Sequence, residues 1–141
     1  RANCVIINGK KNINIESKIL KKNSKIRIFY TKYKAQNIEE FKNDKIIAFA
    51  GIGNPDNFFD LLKVNNINIL EKISFPDHYN YSNKELENLI NKTKENNATL
   101  LTTEKDFFRI NDTYKKNIKH LKIIVEIEKR NQFVEEIKKI I

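Results

Sequence analysis

The sequence predicts an α/β domain with a largely parallel sheet flanked by helices, because short apolar runs alternate along it with longer amphipathic ones. Two further observations support that class. The apolar runs are bounded by turn residues, and helix-start signals follow several of them. Cys4 to Ile7 reads as a buried strand closed by Asn8-Gly9. Ile26 to Tyr33 alternates Ile26, Ile28 and Tyr30 against Arg27, Phe29 and Thr31, the pattern of a half-exposed strand. Lys45 to Ala50 is another buried run, and Gly51-Ile52-Gly53-Asn54-Pro55 turns it into a helix. Asn54 suits the N-cap and Pro55 the first helical position, with Phe58, Phe59, Leu61 and Leu62 on the apolar face.

A strand from about Ile67 to Ser74 follows, and then the best-signalled helix of the chain. Ser82 and Glu85 have capping-box spacing, Tyr81 and Leu86 have hydrophobic-staple spacing, and Leu86, Leu89, Ile90 and Thr93 recur on one face. Thr99 to Thr102 reads as a short strand, and Thr103 with Asp106 repeats the capping-box spacing before Phe107 and Phe108. A last strand at Ile123 to Ile127 precedes a helix with Phe133, Ile137, Ile140 and Ile141 on one face, acidic early and basic late as the macrodipole prefers. The polar stretch from Lys34 to Lys45 is the expected seam, dividing the chain into residues 1–44 and 45–141.

Composition excludes several classes of function. One cysteine in 141 residues leaves no internal disulfide and no cysteine-based zinc site. With glycine only at Gly9, Gly51 and Gly53, no G-x-x-x-x-G-K-[ST] phosphate loop can be written. No apolar run approaches the roughly 18 residues that span a bilayer, so the segment is expected to be cytosolic in character. The absence of methionine and the initial Arg1 suggest a segment of something longer. The formal charge of +9 would ordinarily point to a polyanion. Only four of the 27 basic residues are arginine, though, and the lysines are scattered without interleaved stacking aromatics, which favours a solvated surface over a nucleic-acid footprint.

Three places could carry chemistry. In Gly51-Ile52-Gly53-Asn54-Pro55-Asp56 the glycines permit close approach, but Asp56 stands where a dinucleotide fingerprint has its third glycine and would repel phosphate; a tight turn into a capped helix is the simpler reading. Phe75-Pro76-Asp77-His78-Tyr79 ends a strand and places a carboxylate beside an imidazole. Neighbours in extended chain point to opposite sides, so Asp77 and His78 are expected to find partners elsewhere. Thr102-Thr103-Glu104-Lys105-Asp106 opens a helix; Thr103 and Asp106 suit a cap, whereas Lys105 opposes the helix dipole, which favours a role in holding an anion or a carboxylate.

Those three segments in that order, Ala48-Phe49-Ala50-Gly51-Ile52-Gly53-Asn54-Pro55 with Phe58-Phe59, then Phe75 to Tyr79, then Leu101 to Asp106, resemble the C-terminal part of the tetraacyldisaccharide 4'-kinases, the lipid A 4'-kinases of Gram-negative bacteria. The resemblance is dense from Ala48 to Arg109; Arg1 to Asn8 also resembles the strand closing the family's nucleotide-binding region. It implies that residues 1–44 end the nucleotide-binding lobe of a P-loop-type kinase and connect the lobes, and that residues 45–141 form its C-terminal α/β lobe. It implies a parent enzyme that moves a phosphoryl group from ATP, with Mg²⁺, to the 4'-position of tetraacyldisaccharide 1-phosphate at the cytoplasmic face of the inner membrane. His78 matches the family histidine that supports a catalytic aspartate, here outside the chain; Asp77 is a second catalytic candidate. Asn54, Thr103, Glu104, Lys105 and Asp106 match motif positions, as substrate or inter-lobe contacts. Implied partners are the N-terminal P-loop lobe, the lipid A disaccharide precursor and an anionic membrane surface. The segment alone is expected to be inactive and to bind neither ATP nor metal. The competing reading is a non-catalytic basic module for anionic lipid or nucleic acid. A metal hydrolase built on Asp77 and His78 is disfavoured, because His120 is the only other histidine and lies in no motif.

Overall fold

The computed structural model describes residues 2–140, so the expectations resting on Arg1 and Ile141 lie outside the described residues. The chain forms two compact units, Arg1–Lys34 with Ile124–Ile141, and Ala35–Ile123. The first break falls at the edge of the expected seam. The second separates the C-terminal helix from residues 35–123, which the expected division at 44/45 does not do.

In the first unit β1 (Cys4–Asn8), β2 (Arg27–Ala35) and β7 (Ile123–Ile127) form a sheet in the order β1-β2-β7, with β1 parallel to β2. The expected burial of Cys4 to Ile7 does not hold: β1 is intermediate to exposed throughout, and Ile6 is 49% accessible. Helix α1 (Ile13–Lys22) was not anticipated, although its signals are present: Asn12 accepts from the Ile15 N–H, Glu16 is in the first turn and Lys21 and Lys22 in the last. Its apolar residues are too few and too exposed for periodicity to reveal it, since none is buried. Helix α6 (Arg130–Lys138) brings the Phe133 ring edge-on to Phe29 at 5.1 Å.

The second unit is a four-stranded sheet in the order β4-β3-β5-β6, built from β3 (Lys45–Ala50), β4 (Asn68–Ser74), β5 (Thr99–Thr103) and β6 (Lys119–Leu121), with every adjacent pair parallel. A parallel sheet is covered on both faces, so its central strand is apolar on both sides. β3 shows this. Ile46, Ala48 and Ala50 pack in one core with Phe58, Phe59 and Leu62 of α2 (Pro55–Val64), while Ile47 and Phe49 pack in the other with Leu86, Leu89 and Ile90 of α3 (Asn83–Glu95). A register shift opposite Ile46/Ile47 leaves Leu70 as the extra residue of β4. The shift changes parity, so Ile69 joins the α2 core and Ile73 the α3 core.

The expected capping box is formed in full: Ser82 accepts from the Glu85 N–H, and the Glu85 carboxylate accepts from the Ser82 N–H at 2.8 Å. Tyr81 packs against the same core as Leu86, as the staple spacing requires. Both α2 and α3 end on left-handed asparagines, Asn66 (φ 59°) and Asn97 (φ 47°), followed by a bond from Ile67 N to Leu62 O and from Ala98 N to Thr93 O. Two short helices, α4 (Glu104–Arg109) and α5 (Asp112–Lys115), join β5 to β6. Sequence periodicity missed α5 and β6 because each is a single short turn or run.

Candidate functional site

The carboxyl ends of β3, β4 and β5 bring the three singled-out segments together within the second unit. Open α/β sheets gather their functional loops at that end. Phe75 N donates to Ala50 O at 2.8 Å, His78 N to Gly51 O at 3.1 Å, and Gly51 N to the Asp106 carboxylate at 3.1 Å. The turn after β3 is therefore bonded to the loop after β4 and to the helix after β5.

Gly51 is glycine because there is no room for anything larger. A Cβ there would lie 2.7 Å from the Tyr81 hydroxyl oxygen, 3.1 Å from Tyr79 Cβ and 3.2 Å from Pro76 O. Gly53 faces the Asp77 carboxylate in the same way, at 3.2 Å. The loop rests on an aromatic cluster: Tyr81 meets Phe49, Phe75 and Tyr79 edge-on with ring centroids 5.1 to 5.4 Å apart. Tyr79 donates to Glu85 at 2.6 Å, which ties the loop to the start of α3.

Asp77 and His78 do come together, contrary to expectation. The expectation assumed extended chain, but His78 is left-handed (φ 58°), and the bend turns its imidazole back. Nε2 lies 3.8 Å from Asp77 Oδ2, while the His78 N–H also donates to Asp77 Oδ1 at 3.0 Å. The Lys105 ammonium stands 3.8 Å from Asp77 Oδ1. Asp77 is thus flanked by an imidazole and an ammonium, at distances of electrostatic contact rather than hydrogen bonding. His78 is 70% accessible at its side chain, so one side of the imidazole is open to another group.

The other candidates occupy two environments. Asn54 is exposed and caps α2 by position only, since its side chain makes no capping bond. Thr103 accepts from the Asp106 N–H at 3.1 Å and donates to Asp106 Oδ2 at 2.6 Å. Glu104 begins α4, and its charge opposes the desolvation that pulls the His120 imidazole below its ordinary value. Asp106 has no accessible surface. A group so placed cannot touch a substrate or another lobe directly, and its carboxylate is spent on Gly51, Thr103 and Arg109.

Arg109 and Tyr81 are the participants that sequence reading missed. Arg109 pairs with Asp106 and donates to Gly51 O at 2.8 Å. The signal was available in the (i, i+3) spacing of Asp106 and Arg109 on a predicted helix. The staple spacing of Tyr81 with Leu86 gives no sign of its second role. Its hydroxyl is buried without a hydrogen-bond partner; burial first, and then the neighbouring Asp106 charge, push the phenol well above its ordinary value and keep it protonated. Among the described residues no group of three or more His, Cys, Asp and Glu is arranged to hold a metal ion.

A parallel α/β unit with a polar cluster at the carboxyl ends of its strands belongs to the class in which ligands and reactive groups are held by the loops beyond the sheet. The particular family is shown by comparison: the chain belongs to the LpxK family, the tetraacyldisaccharide-1-P 4'-kinases, whose description matches residues 1–141. The chain is 37% identical over 126 residues to the tetraacyldisaccharide 4'-kinase of Pelagibacter ubique, covering 87% of this chain and 40% of that protein. It is 50% identical over 78 residues to the tetraacyldisaccharide 4'-kinase of Rickettsia akari, covering 55% of this chain and 23% of that one. The chain therefore spans less than half the length of these relatives. Among solved structures, LpxK from Aquifex aeolicus in complex with ATP superposes with a TM-score of 0.57 at 20% identity, over 97% of this chain and 51% of that one, a likeness of fold.

Proposed function

We propose that this chain is the carboxyl-terminal part of an ATP-dependent kinase that phosphorylates the 4'-position of tetraacyldisaccharide 1-phosphate in lipid A biosynthesis. The observation that carries this reading is the family match along the whole chain, joined to relatives named as that kinase. ATP and Mg²⁺ are assigned to the parent enzyme. The sequence here has no phosphate loop of the G-x-x-x-x-G-K-[ST] type, and the described residues offer no metal-binding cluster, so no step at either group is derived from these residues.

In this reading His78 is the working group of the segment. Its exposed imidazole, with Asp77 on one side, orients a carboxylate contributed by the N-terminal lobe, and that carboxylate accepts the proton of the sugar hydroxyl. The Lys105 ammonium stands 3.8 Å from the other Asp77 carboxylate oxygen. Asn54, Thr103 and Glu104 are assigned to the rim where the lipid precursor or the other lobe approaches. No helix among the described residues is long and apolar enough to cross a membrane. For the parent we propose, separately, a peripheral contact on the inner membrane, assisted by the excess of lysine.

The test uses the full-length enzyme and this chain side by side, with ³²P transfer from ATP to tetraacyldisaccharide 1-phosphate as readout. The full-length enzyme is expected to be active and the 141-residue chain inactive. His78→Ala in the full-length enzyme is expected to lower kcat by about 10²-fold or more while KM changes little, the pattern of a group acting in the transition state. Wild-type kcat in that variant removes His78 from the mechanism. Turnover by the chain alone contradicts its assignment as an incomplete piece.

A further inference from the structure

We propose that Asp106 and Arg109 are positioning residues for His78, acting through the backbone of a single residue, Gly51. The inference rests on the reading of His78 given above. A fully buried carboxylate and a mostly buried guanidinium converge on the two polar atoms of one glycine. Asp106 Oδ2 accepts from Gly51 N at 3.1 Å, and Arg109 Nη2 donates to Gly51 O at 2.8 Å. The same arginine nitrogen pairs with Asp106 Oδ1, which closes a ring through the backbone.

Gly51 O is also the acceptor of the His78 N–H at 3.1 Å. That bond falls on a left-handed histidine, a backbone state uncommon for non-glycine residues although histidine is among the types enriched in it, and one that persists where surrounding structure over-determines it. The ring ties together the two peptide planes that meet at Gly51, and the second of them, which carries Gly51 O, sets the direction from which the His78 backbone approaches. A rotation at Gly51 would move one of the two acceptors of the His78 N–H, the other being Asp77 Oδ1 at 3.0 Å. Thr103 and Tyr81 complete the device. The Thr103 hydroxyl donates to Asp106 Oδ2 at 2.6 Å, and the Tyr81 hydroxyl oxygen fills the space beside Gly51 where a Cβ would go. Neither Asp106 nor Arg109 need reach substrate to matter.

The experiment has two readouts. In the 141-residue chain, amide exchange by NMR is compared between wild type and Arg109→Gln. Loss of a charge-assisted bond to Gly51 O is expected to speed exchange at Gly51 and His78 on the order of tenfold while Leu89 and Ile90 in α3 keep their protection. Unchanged exchange at both sites overturns the inference. In the full-length enzyme, Arg109→Gln is expected to lower kcat about tenfold with KM within about twofold, and Arg109→Lys to restore part of the loss. Wild-type kcat in Arg109→Gln beside a slow His78→Ala overturns the positioning role and leaves the proposed function standing. Wild-type kcat in His78→Ala removes that function, whereas the exchange data still decide whether the clamp exists. Should Arg109→Gln fail to fold, Asp106→Asn, which keeps an acceptor for Gly51 N and removes the charge that holds the guanidinium, is read by the same two criteria.

Discussion

The tightest spot in the structure lies at Gly51, and Gly51→Ala tests it directly. An added Cβ meets the Tyr81 hydroxyl oxygen at 2.7 Å, closer than real contacts allow, with Tyr79 Cβ at 3.1 Å and the Pro76 carbonyl oxygen at 3.2 Å. A flexible side-chain end could step aside. The Tyr81 ring cannot do so readily, because it is packed against Phe49, Phe75 and Tyr79. Overpacking of this kind costs about 1–3 kcal/mol, and the middle of that range, about 2 kcal/mol, is expected here. With a urea slope of about 1.5 kcal/mol/M, the midpoint should fall by roughly 1.3 M at unchanged slope. Tyr81→Phe separates the clash from other effects. Its hydroxyl is buried and unpartnered, so removing it should be neutral or stabilising by up to about 1 kcal/mol. In the Tyr81→Phe background the 2.7 Å contact is gone, and Gly51→Ala should cost about 1 kcal/mol less than in wild type. Strict additivity of the two substitutions, or a midpoint for Gly51→Ala within about 0.3 M of wild type, would falsify the close-packing argument.

Leu62→Ala removes a side chain with no accessible surface from the α2 core and should destabilise by about 2–5 kcal/mol in urea unfolding, whereas Val64→Ala, 72% accessible two residues on, should stay within about 0.5 kcal/mol. Glu85 is held below its ordinary carboxylate value by the Ser82 side chain first, then by the Tyr79 hydroxyl and the Ser82 backbone. A depressed folded value means that the contribution to stability is complete above the ordinary value of about 4.3 and is lost as pH falls through the folded one. Glu85→Gln should therefore be less stable than wild type near neutral pH and flatten the acid limb of a Tm-against-pH curve; parallel curves for the two proteins would contradict the assignment. The kinase assay of His78→Ala and the amide-exchange test of Arg109→Gln complete the set.

Much of the second unit was legible because its signals are local. A capping box requires only Ser82 and Glu85 three residues apart, and both of its bonds are present. A buried parallel strand requires only the apolar run from Ile46 to Ala50. The three segments with candidate chemistry were legible as segments, and their placement at strand ends followed from the predicted order of strands and helices. Local signals failed where the deciding term was not local. The separation of Asp77 from His78 was inferred from extended geometry, and the left-handed backbone at His78, which reverses the inference, is stabilised by Gly51 O from a different strand end. The motif match implies a substrate or inter-lobe contact for Asp106, but Gly51 N and Arg109 let it be buried completely, as a linear reading does not show.

The sequence by itself determined the class of fold, most of the strand and helix positions in the second unit and the residues from which a site could be made. Periodicity, caps and turn residues act within a few positions of the chain, and a linear reading contains that information in full. Only the tertiary structure decided which of those residues touch. The pairing of Asp77 with both His78 and Lys105, the clamp on Gly51 by Asp106 and Arg109, and the aromatic floor under the loop each join groups brought close by strand order in the sheet. Hydrogen-bond energies fall off within a few ångströms and charge–charge energies within about 10 Å in salt, so both are set by distances in space, and the sheet, not the spacing along the chain, fixes those distances.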